Sequence, residues 1–311
     1  MTKPDNKQRL YDLLNESATV AFDMKRNIRY MVCPAESRDL NVIWMIKSIK
    51  FTEDTPIARI RMDSPCYAEK NSNLEEQAQS ILTAYFINFS RFGGEVPNNW
   101  KQGTLQDIAE FSNGYAFKSK ELLDSLSHNC FNVFKQGHIN RGGGFNSGGT
   151  KSWYPKEKCT TLSKYILHKG DVLMAMTDMK DNVAILGNTA LMTVDDQDIA
   201  NQRVGILRSN GYKNTSYAYI YLLTNSFEFL KDLRSRANSG VQVNLSSKEI
   251  INSPVWIATE DVNKEFNSLA EPLLSMIMAN DSENQRLSDL RETLLPQLIS
   301  GELDVSDVNI I

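Results

Sequence analysis

The chain is 311 residues long, with 41% hydrophobic and 23% charged residues. That balance excludes a wholly disordered chain, leaves room for two domains, and contains no apolar run long enough for a transmembrane helix. The net charge of −4 argues against a uniformly basic nucleic-acid binder. The polar first residues carry no signal-peptide core, so a cytoplasmic protein is expected.

The average charge hides an asymmetry. Residues 111–180 hold ten Lys and Arg against five Asp and Glu, whereas residues 260–311 hold three against eleven. A basic middle and an acidic tail can serve different partners. Cys33, Cys66, Cys130 and Cys159 lie far apart with no CxxC pair, and His128, His138 and His168 form no ligand cluster with them. Reduced thiols are therefore expected rather than a metal site.

In chain order, residues 8–22 read as a short helix marked by Leu10, Leu13, Leu14 and Phe22, and residues 42–50 and 57–62 as strands. No role is assigned to residues 1–73. Leu74, Ala78, Ile81, Leu82, Tyr85, Phe86 and Phe89 then form one apolar helical stripe. Asn73 and Glu76 suit a capping box, and Gly93-Gly94 a stop. Short apolar runs at 104–111, 165–176, 183–193 and 203–208 alternate with Gly and Asn turns, and 215–236 reads as a helix. The pattern predicts an α+β domain over 104–258. Within it, residues 136–160 form a loop with Gly142, Gly143, Gly144, Gly148 and Gly149. It is expected to be flexible or to order on a ligand. It lacks GxxxxGK[ST], so a phosphate loop is rejected.

Residues 260–299 are helical again. Val262, Phe266, Leu269, Leu273, Ile277, Leu287, Leu290, Leu294 and Leu298 recur at coiled-coil spacing, with Asn280 and Asn284 interrupting the seam. Pro272 and Pro296 are expected to kink or restart the helix, and Gly301 to end it. The two helices would be about 25 Å and about 55 Å long, and are expected to pair as an antiparallel coiled coil around the domain.

Several segments together resemble one family. NDSENQRLSDLRETLLPQLISGEL (280–303) is similar to the C-terminal conserved helix of type I restriction-modification specificity subunits, and LEEQAQSILTAYFINFSRF (74–92) to the end of their central conserved helix. NGYAFKSKELL (113–123), LHKGDVLMAMTDM (167–179), ANQRVGIL (200–207) and GVQVNLSSKEI (240–250) follow the pattern of a target recognition domain. The resemblance spans residues 74–305. It implies a conserved helix at 74–92, a recognition domain at 93–258, a C-terminal coiled-coil helix at 259–303 and a tail at 304–311. Such subunits usually carry two recognition domains, so this chain reads as a half-subunit. The resemblance implies a non-catalytic reader of half of a bipartite double-stranded DNA target. It docks modification subunits, and restriction subunits where present, and works as a homodimer or with a second specificity fragment. S-adenosylmethionine, ATP and Mg are then expected in the partners and no cofactor in this chain. The chain holds no NPPY-like or GxSxG motif. The rival reading is a scaffold that assembles with modification subunits without reading DNA.

DNA readers need cations for phosphates and planar polar side chains for base edges. The candidates are Lys118 and Ser119 in the Phe-Lys-Ser turn, His138, Asn140 and Arg141 opening the Gly-rich loop, and Lys151, Lys156 and Lys158 closing it. Trp153 and Tyr154 read as loop anchors. Thr177, Asp178 and Lys180 follow a strand, Gln202 and Arg203 form a polar pair, and Gln242 and Asn244 sit in a turn. Asn140, Arg141, Gln202, Arg203 and Gln242 are the expected base readers. Ile81, Tyr85, Phe86, Leu287, Leu290, Leu294 and Leu298 are the expected helix-pairing residues.

Overall fold

The computed structural model describes the strands within residues 19–61 by their backbone, and residues 65–124, 129–179, 183–239 and 242–300. Contacts divide the chain into two units, residues 1–73 with 283–311 and residues 74–282. In the first, β1 (Thr19–Asp23) pairs antiparallel with β2 (Ile28–Val32), and β3 (Met45–Thr52) with β4 (Thr55–Arg61). The strands expected at 42–50 and 57–62 are β3 and β4. The helix expected over 8–22 lies outside the described residues up to 18. Its end is strand instead, because β-branched Thr19 and Val20 find ladder partners in β2.

Helix α1 (Pro65–Leu82) starts earlier than its apolar stripe. Proline suits the first helical position because its missing N–H falls among the unpaired donors there. Asn73 therefore lies inside the helix and does not cap it. The helix closes in a π-helical turn, Thr83–Ile87, where the Asn88 N–H reaches the Thr83 carbonyl at 2.9 Å. The extra residue in that turn lets neighbours Tyr85 and Phe86 both be buried. Gly93, with φ +81°, then ends the segment in the left-handed region, as its position predicts.

The second unit is layered. A two-stranded neck joins β5 (Lys101–Thr104) to β16 (Pro254–Ile257), so the domain leaves and returns through one place. After the short helix α2 (Leu105–Ile108) come β6 (Ala109–Asn113), β7 (Cys130–Phe134), β8 (Trp153–Pro155), β9 (Val172–Ala175), β10 (Thr177–Met179), β11 (Thr189–Leu191), β12 (Asp198–Ala200) and β13 (Val204–Ser209). The central antiparallel sheet has the order β11-β9-β13-β6. Strand β9 is buried on both faces: Val172 and Met174 enter one core, Leu173 and Ala175 the other. That is the period-2 alternation of a strand between two layers. Helices cover the first face. A three-stranded sheet, β12-β7-β8, in which β12 runs parallel to β7, covers the second. Its far side packs Phe131, Val133, Tyr154 and Leu162.

The helix expected over 215–236 is two helices, α3 (Tyr217–Thr224) and α4 (Phe227–Ser235). Ser226 caps the second. Asn225, at the break, turns its amide onto Thr189, accepting from its N–H at 2.9 Å and donating to its carbonyl at 3.1 Å. Strands β14 (Asn238–Ser239) and β15 (Gln242–Asn244) join β10 in a third sheet, and α5 (Ser247–Ile251) leads back to the neck.

Helix α6 (Glu260–Ser300) runs 41 residues, about 60 Å. Pro272 and Pro296 do not interrupt it, contrary to expectation. At Pro272 both the proline and Ser268, whose carbonyl loses its donor, are exposed, so water can replace the missing bond. In the second unit its buried face is Asn263, Phe266, Ala270, Leu274, Ile277 and Met278. That face is offset from the expected seam: Leu269 is 45% exposed. Tyr85 meets the start of α6, with its ring 5.7 Å from Phe266 and its hydroxyl 2.6 Å from Glu265. Further back along α1, Glu75 accepts the Tyr221 hydroxyl, and Asp281 acts electrostatically on the same group. The two helices are therefore antiparallel across the second unit. Phe86 does not face α6 alone; it also stacks against Trp100 and Tyr219 in the domain core. Ile81 is half-buried against the same core. Leu287 and Leu294 are half-buried, Leu290 is 46% exposed, and the Leu298 side chain lies outside the described residues.

Candidate nucleic-acid interface

The end of the central sheet away from the neck gathers several of the polar residues singled out in the sequence. Gly114 makes the first crossing there. A Cβ on it would sit 2.2 Å from the Asn201 carbonyl oxygen, so only glycine lets the chain leaving β6 cross the β12–β13 turn. Tyr115 then bridges to Asn201 and accepts the Gln202 N–H at 2.9 Å. Gln202 and Arg203 occupy the turn itself, and both side chains are exposed.

The next strand is tied to the same turn. The Arg203 carbonyl accepts the Met176 N–H at 3.1 Å, and the Met176 carbonyl accepts the Leu245 N–H at 2.9 Å. Thr177, opposite Asn244 in the β10–β15 pair, donates its hydroxyl to Gln136 Oε1 at 2.6 Å. Asn244 is exposed. Gln242 pairs with Met179 through the backbone, and its side chain lies outside the described residues. Ser247 donates to Asn113 Oδ1 at 3.2 Å on the same edge. Lys118 and Ser119 are exposed on the segment that follows Tyr115. Gln202, Arg203, Thr177 and Asn244 are thus brought together by backbone bonds from four strands.

Other candidates serve the protein itself. His138 is 3% exposed and does not face solvent. Its Nδ1 accepts the Lys135 N–H at 2.9 Å, and its ring fills the space beside Gly149, where a Cβ would be 2.2 Å away. Burial, with the positive charge of Lys135 as the next cause, pushes its pKa down to about 4, so it is neutral at pH 7. Lys156 donates to the Asp196 carbonyl at 3.1 Å and lies 4.6 Å above the Phe131 ring. It is a strut rather than an open phosphate contact. Asn140 is exposed but donates its amide to the Phe145 carbonyl at 2.9 Å. Asp178 accepts N–H bonds from Met179, Ala184, Ile185 and Leu186 at 2.7–3.2 Å. Lys151 is half-buried, whereas Lys158 is exposed. Tyr154 is 6% exposed, in keeping with a loop anchor, and Trp153 pairs with β7. Lys180 lies outside the described residues.

The Gly-rich loop is built rather than slack. Gly142, Gly143 and Gly144 all take positive φ, and a Cβ on Gly143 would lie 2.6 Å from the Asn225 side chain. The Gly144 N–H reaches the Thr189 carbonyl at 2.9 Å, and Asn146 donates to the Gly137 carbonyl at 2.8 Å. The folded loop leaves Arg141 exposed. Gln136, Asn113 and Tyr115 were missed in the sequence. The Asn113-Gly114 pair was the available signal, as a turn marker, but it does not say what the turn crosses.

The exposed set offers cations of the kind that can hold phosphates and amides of the kind that can bond two positions on one base edge. Among the described residues no cluster of His, Cys, Asp and Glu is placed to hold a metal, and no helix is long and apolar enough to cross a membrane.

A family described as the Type I restriction modification DNA specificity domain matches residues 97–259. The chain is similar to the Type I restriction enzyme MjaVIII specificity subunit of Methanocaldococcus jannaschii, 21% identical over 220 residues, covering 70% of this chain and 49% of that protein. It is also similar to the MjaIX specificity subunit of the same organism, 22% identical over 257 residues, covering 77% and 55%. The chain thus spans about half the length of these relatives. Among solved structures it is similar to a Type-I restriction-modification system S subunit from M. genitalium, with TM-score 0.47, 15% identity and coverage of 75% and 58%. The HsdS subunit from Thermoanaerobacter tengcongensis gives TM-score 0.40, 14% identity and coverage of 77% and 54%.

Proposed function

This chain belongs to the type I restriction modification DNA specificity family, and from that premise we propose that its domain reads double-stranded DNA for a type I restriction-modification complex. The observation that carries the reading is the convergence of Gln202, Arg203, Thr177 and Asn244 at one end of the central sheet, opposite the neck. Arg203 and Gln202 are the base readers, because each is exposed on a turn whose backbone is held on both sides. Lys118 and Arg141 hold phosphates. The domain reads one half of a bipartite target. A second copy or another specificity fragment reads the other half, and the antiparallel helices set the spacing.

In this reading the chain is a non-catalytic targeting subunit. Modification subunits dock on it and carry S-adenosylmethionine and the methyl transfer. Restriction subunits, where present, carry ATP and Mg. The work is cytoplasmic, where the DNA is.

The test is binding by the full chain, co-purified with its modification subunit, to a target selected from random duplex DNA. Arg203→Ala should weaken specific binding by about 1–3 kcal/mol and relax preference at one base pair. Lys118→Ala should weaken matched and random DNA alike and lower the salt slope by about one. A complex that forms but selects no sequence would refute base reading and favour a scaffold.

A further inference from the structure

We propose that Met179 is a specificity-determining residue that reads a thymine by its 5-methyl group. The inference rests on the DNA-reading role of this end of the sheet and adds an apolar reader to its polar ones.

Met179 ends β10 and is 62% exposed. Singly exposed apolar side chains are ordinary on protein surfaces. This one differs in its setting. It follows Thr177 and Asp178 on the strand that carries Thr177 to Gln136 and pairs with Asn244. Its backbone is fixed twice, by the β15 ladder and by the bond from its N–H to Asp178 Oδ1 at 2.8 Å. The same carboxylate takes the N–H groups of Ala184, Ile185 and Leu186. From the other side Arg234 donates to the carbonyl of Leu186 at 2.8 Å and to Asn188 Oδ1 at 3.0 Å. The turn that leads into β11 is therefore clamped through its donors and its acceptors together. Val183, just before the clamp, is 38% exposed. Two apolar side chains thus stand exposed next to backbone that is held in place, and Met179 lies three residues along the chain from Met176, whose N–H the Arg203 carbonyl accepts.

In the major groove thymine alone presents a methyl group, and an apolar side chain is its complement. A thioether chain on a fixed backbone fits that task, being flexible enough to follow a methyl and polarizable enough to gain from the contact. Asp178 acts behind it as a positioning residue, holding the support without touching DNA.

The experiment uses the full chain with its modification subunit and the target selected from random duplex DNA. Each thymine of the target is replaced in turn by uracil, which removes only the methyl. At one position the replacement should weaken wild-type binding about fourfold, the worth of one buried methyl. Met179→Ala should bind thymine and uracil there equally, whereas Met179→Leu should keep the discrimination. Asp178→Asn should reduce it while leaving the remaining base preferences in place. The proposal is overturned if uracil is tolerated at every position, or if Met179→Ala keeps the wild-type ratio; selective binding would then still support base reading by Arg203 and Gln202. If the wild-type complex selects no sequence at all, the reading itself falls and this proposal with it.

Discussion

Two buried ionisable groups should oppose each other in the pH dependence of stability, and substituting one should unmask the other. Asp198 is 7% exposed, and burial pushes its pKa from 3.8 up to about 6, against the bond that it accepts from Asn132. The folded state then keeps a proton that the unfolded chain has released. Asp198 thus favours folding below pH 4 and loses that contribution as pH rises to 6. At about 1.4 kcal/mol per pKa unit the loss is about 3 kcal/mol. His138, lowered from 6.5 to about 4, works the other way. The unfolded chain takes up a proton that the folded chain refuses, so stability is lost as pH falls from 6.5 to 4, again by about 3 kcal/mol. The two slopes occupy nearly the same window and largely cancel. Asp198→Asn keeps a carbonyl oxygen for the Asn132 amide and removes the charge. Relative to wild type it should gain about 1–3 kcal/mol at pH 7.5 and gain nothing at pH 4. That is a rise in Tm of about 2–4 °C per kcal/mol for a domain of this size. His138→Gln should be less stable at every pH for want of the ring packing, and should narrow its deficit as pH falls. Urea unfolding at pH 4, 5, 6.5 and 7.5 gives both difference curves. A difference between Asp198→Asn and wild type that does not change between pH 4 and 6.5 would refute the assignment of a buried, proton-retaining carboxyl.

Three further outcomes follow from packing. Phe266→Ala removes a fully buried ring that meets Tyr85, Phe86 and Tyr219, and should cost about 3–5 kcal/mol in urea unfolding. Gly143→Ala should destabilise more than Gly142→Ala, since both positions have positive φ but only the first brings a Cβ within 4 Å of another group, at 2.6 Å from Asn225; amide exchange at Gly144 should rise with it. Arg91→Ala should leave stability almost unchanged despite its 3.0 Å pair with Glu265, because both partners are about half exposed; thermal unfolding in low and high salt checks this.

The antiparallel arrangement of α1 and α6 was legible because a buried helical face must repeat every three or four residues. Leu74, Ala78, Leu82 and Phe86 obey that rule, and so do Phe266, Ala270, Leu274 and Ile277. Within those limits the sequence did not choose the face. Tyr85 and Tyr219 select Phe266 and leave Leu269 at 45% exposure, although the two leucine and phenylalanine positions look alike in a heptad.

For the interface the division is sharper. Residue type alone named Arg203, Gln202 and Lys118 together with His138, Lys156, Thr177 and Asp178. A polar side chain on a loop can turn to solvent or to its own backbone, and nothing local decides which. That choice was made by contacts far apart in the chain. Gly114 crosses Asn201, Thr177 reaches Gln136, and Gly149 leaves room for the His138 ring. The sequence alone marked the apolar stripes of the two long helices, the strands at 42–50 and 57–62 and the segments that carry the family's pattern, since these are written in local spacing. Only the tertiary structure separated the polar groups spent on holding loops from those left exposed, because satisfying a buried donor or acceptor depends on partners that spacing does not reveal.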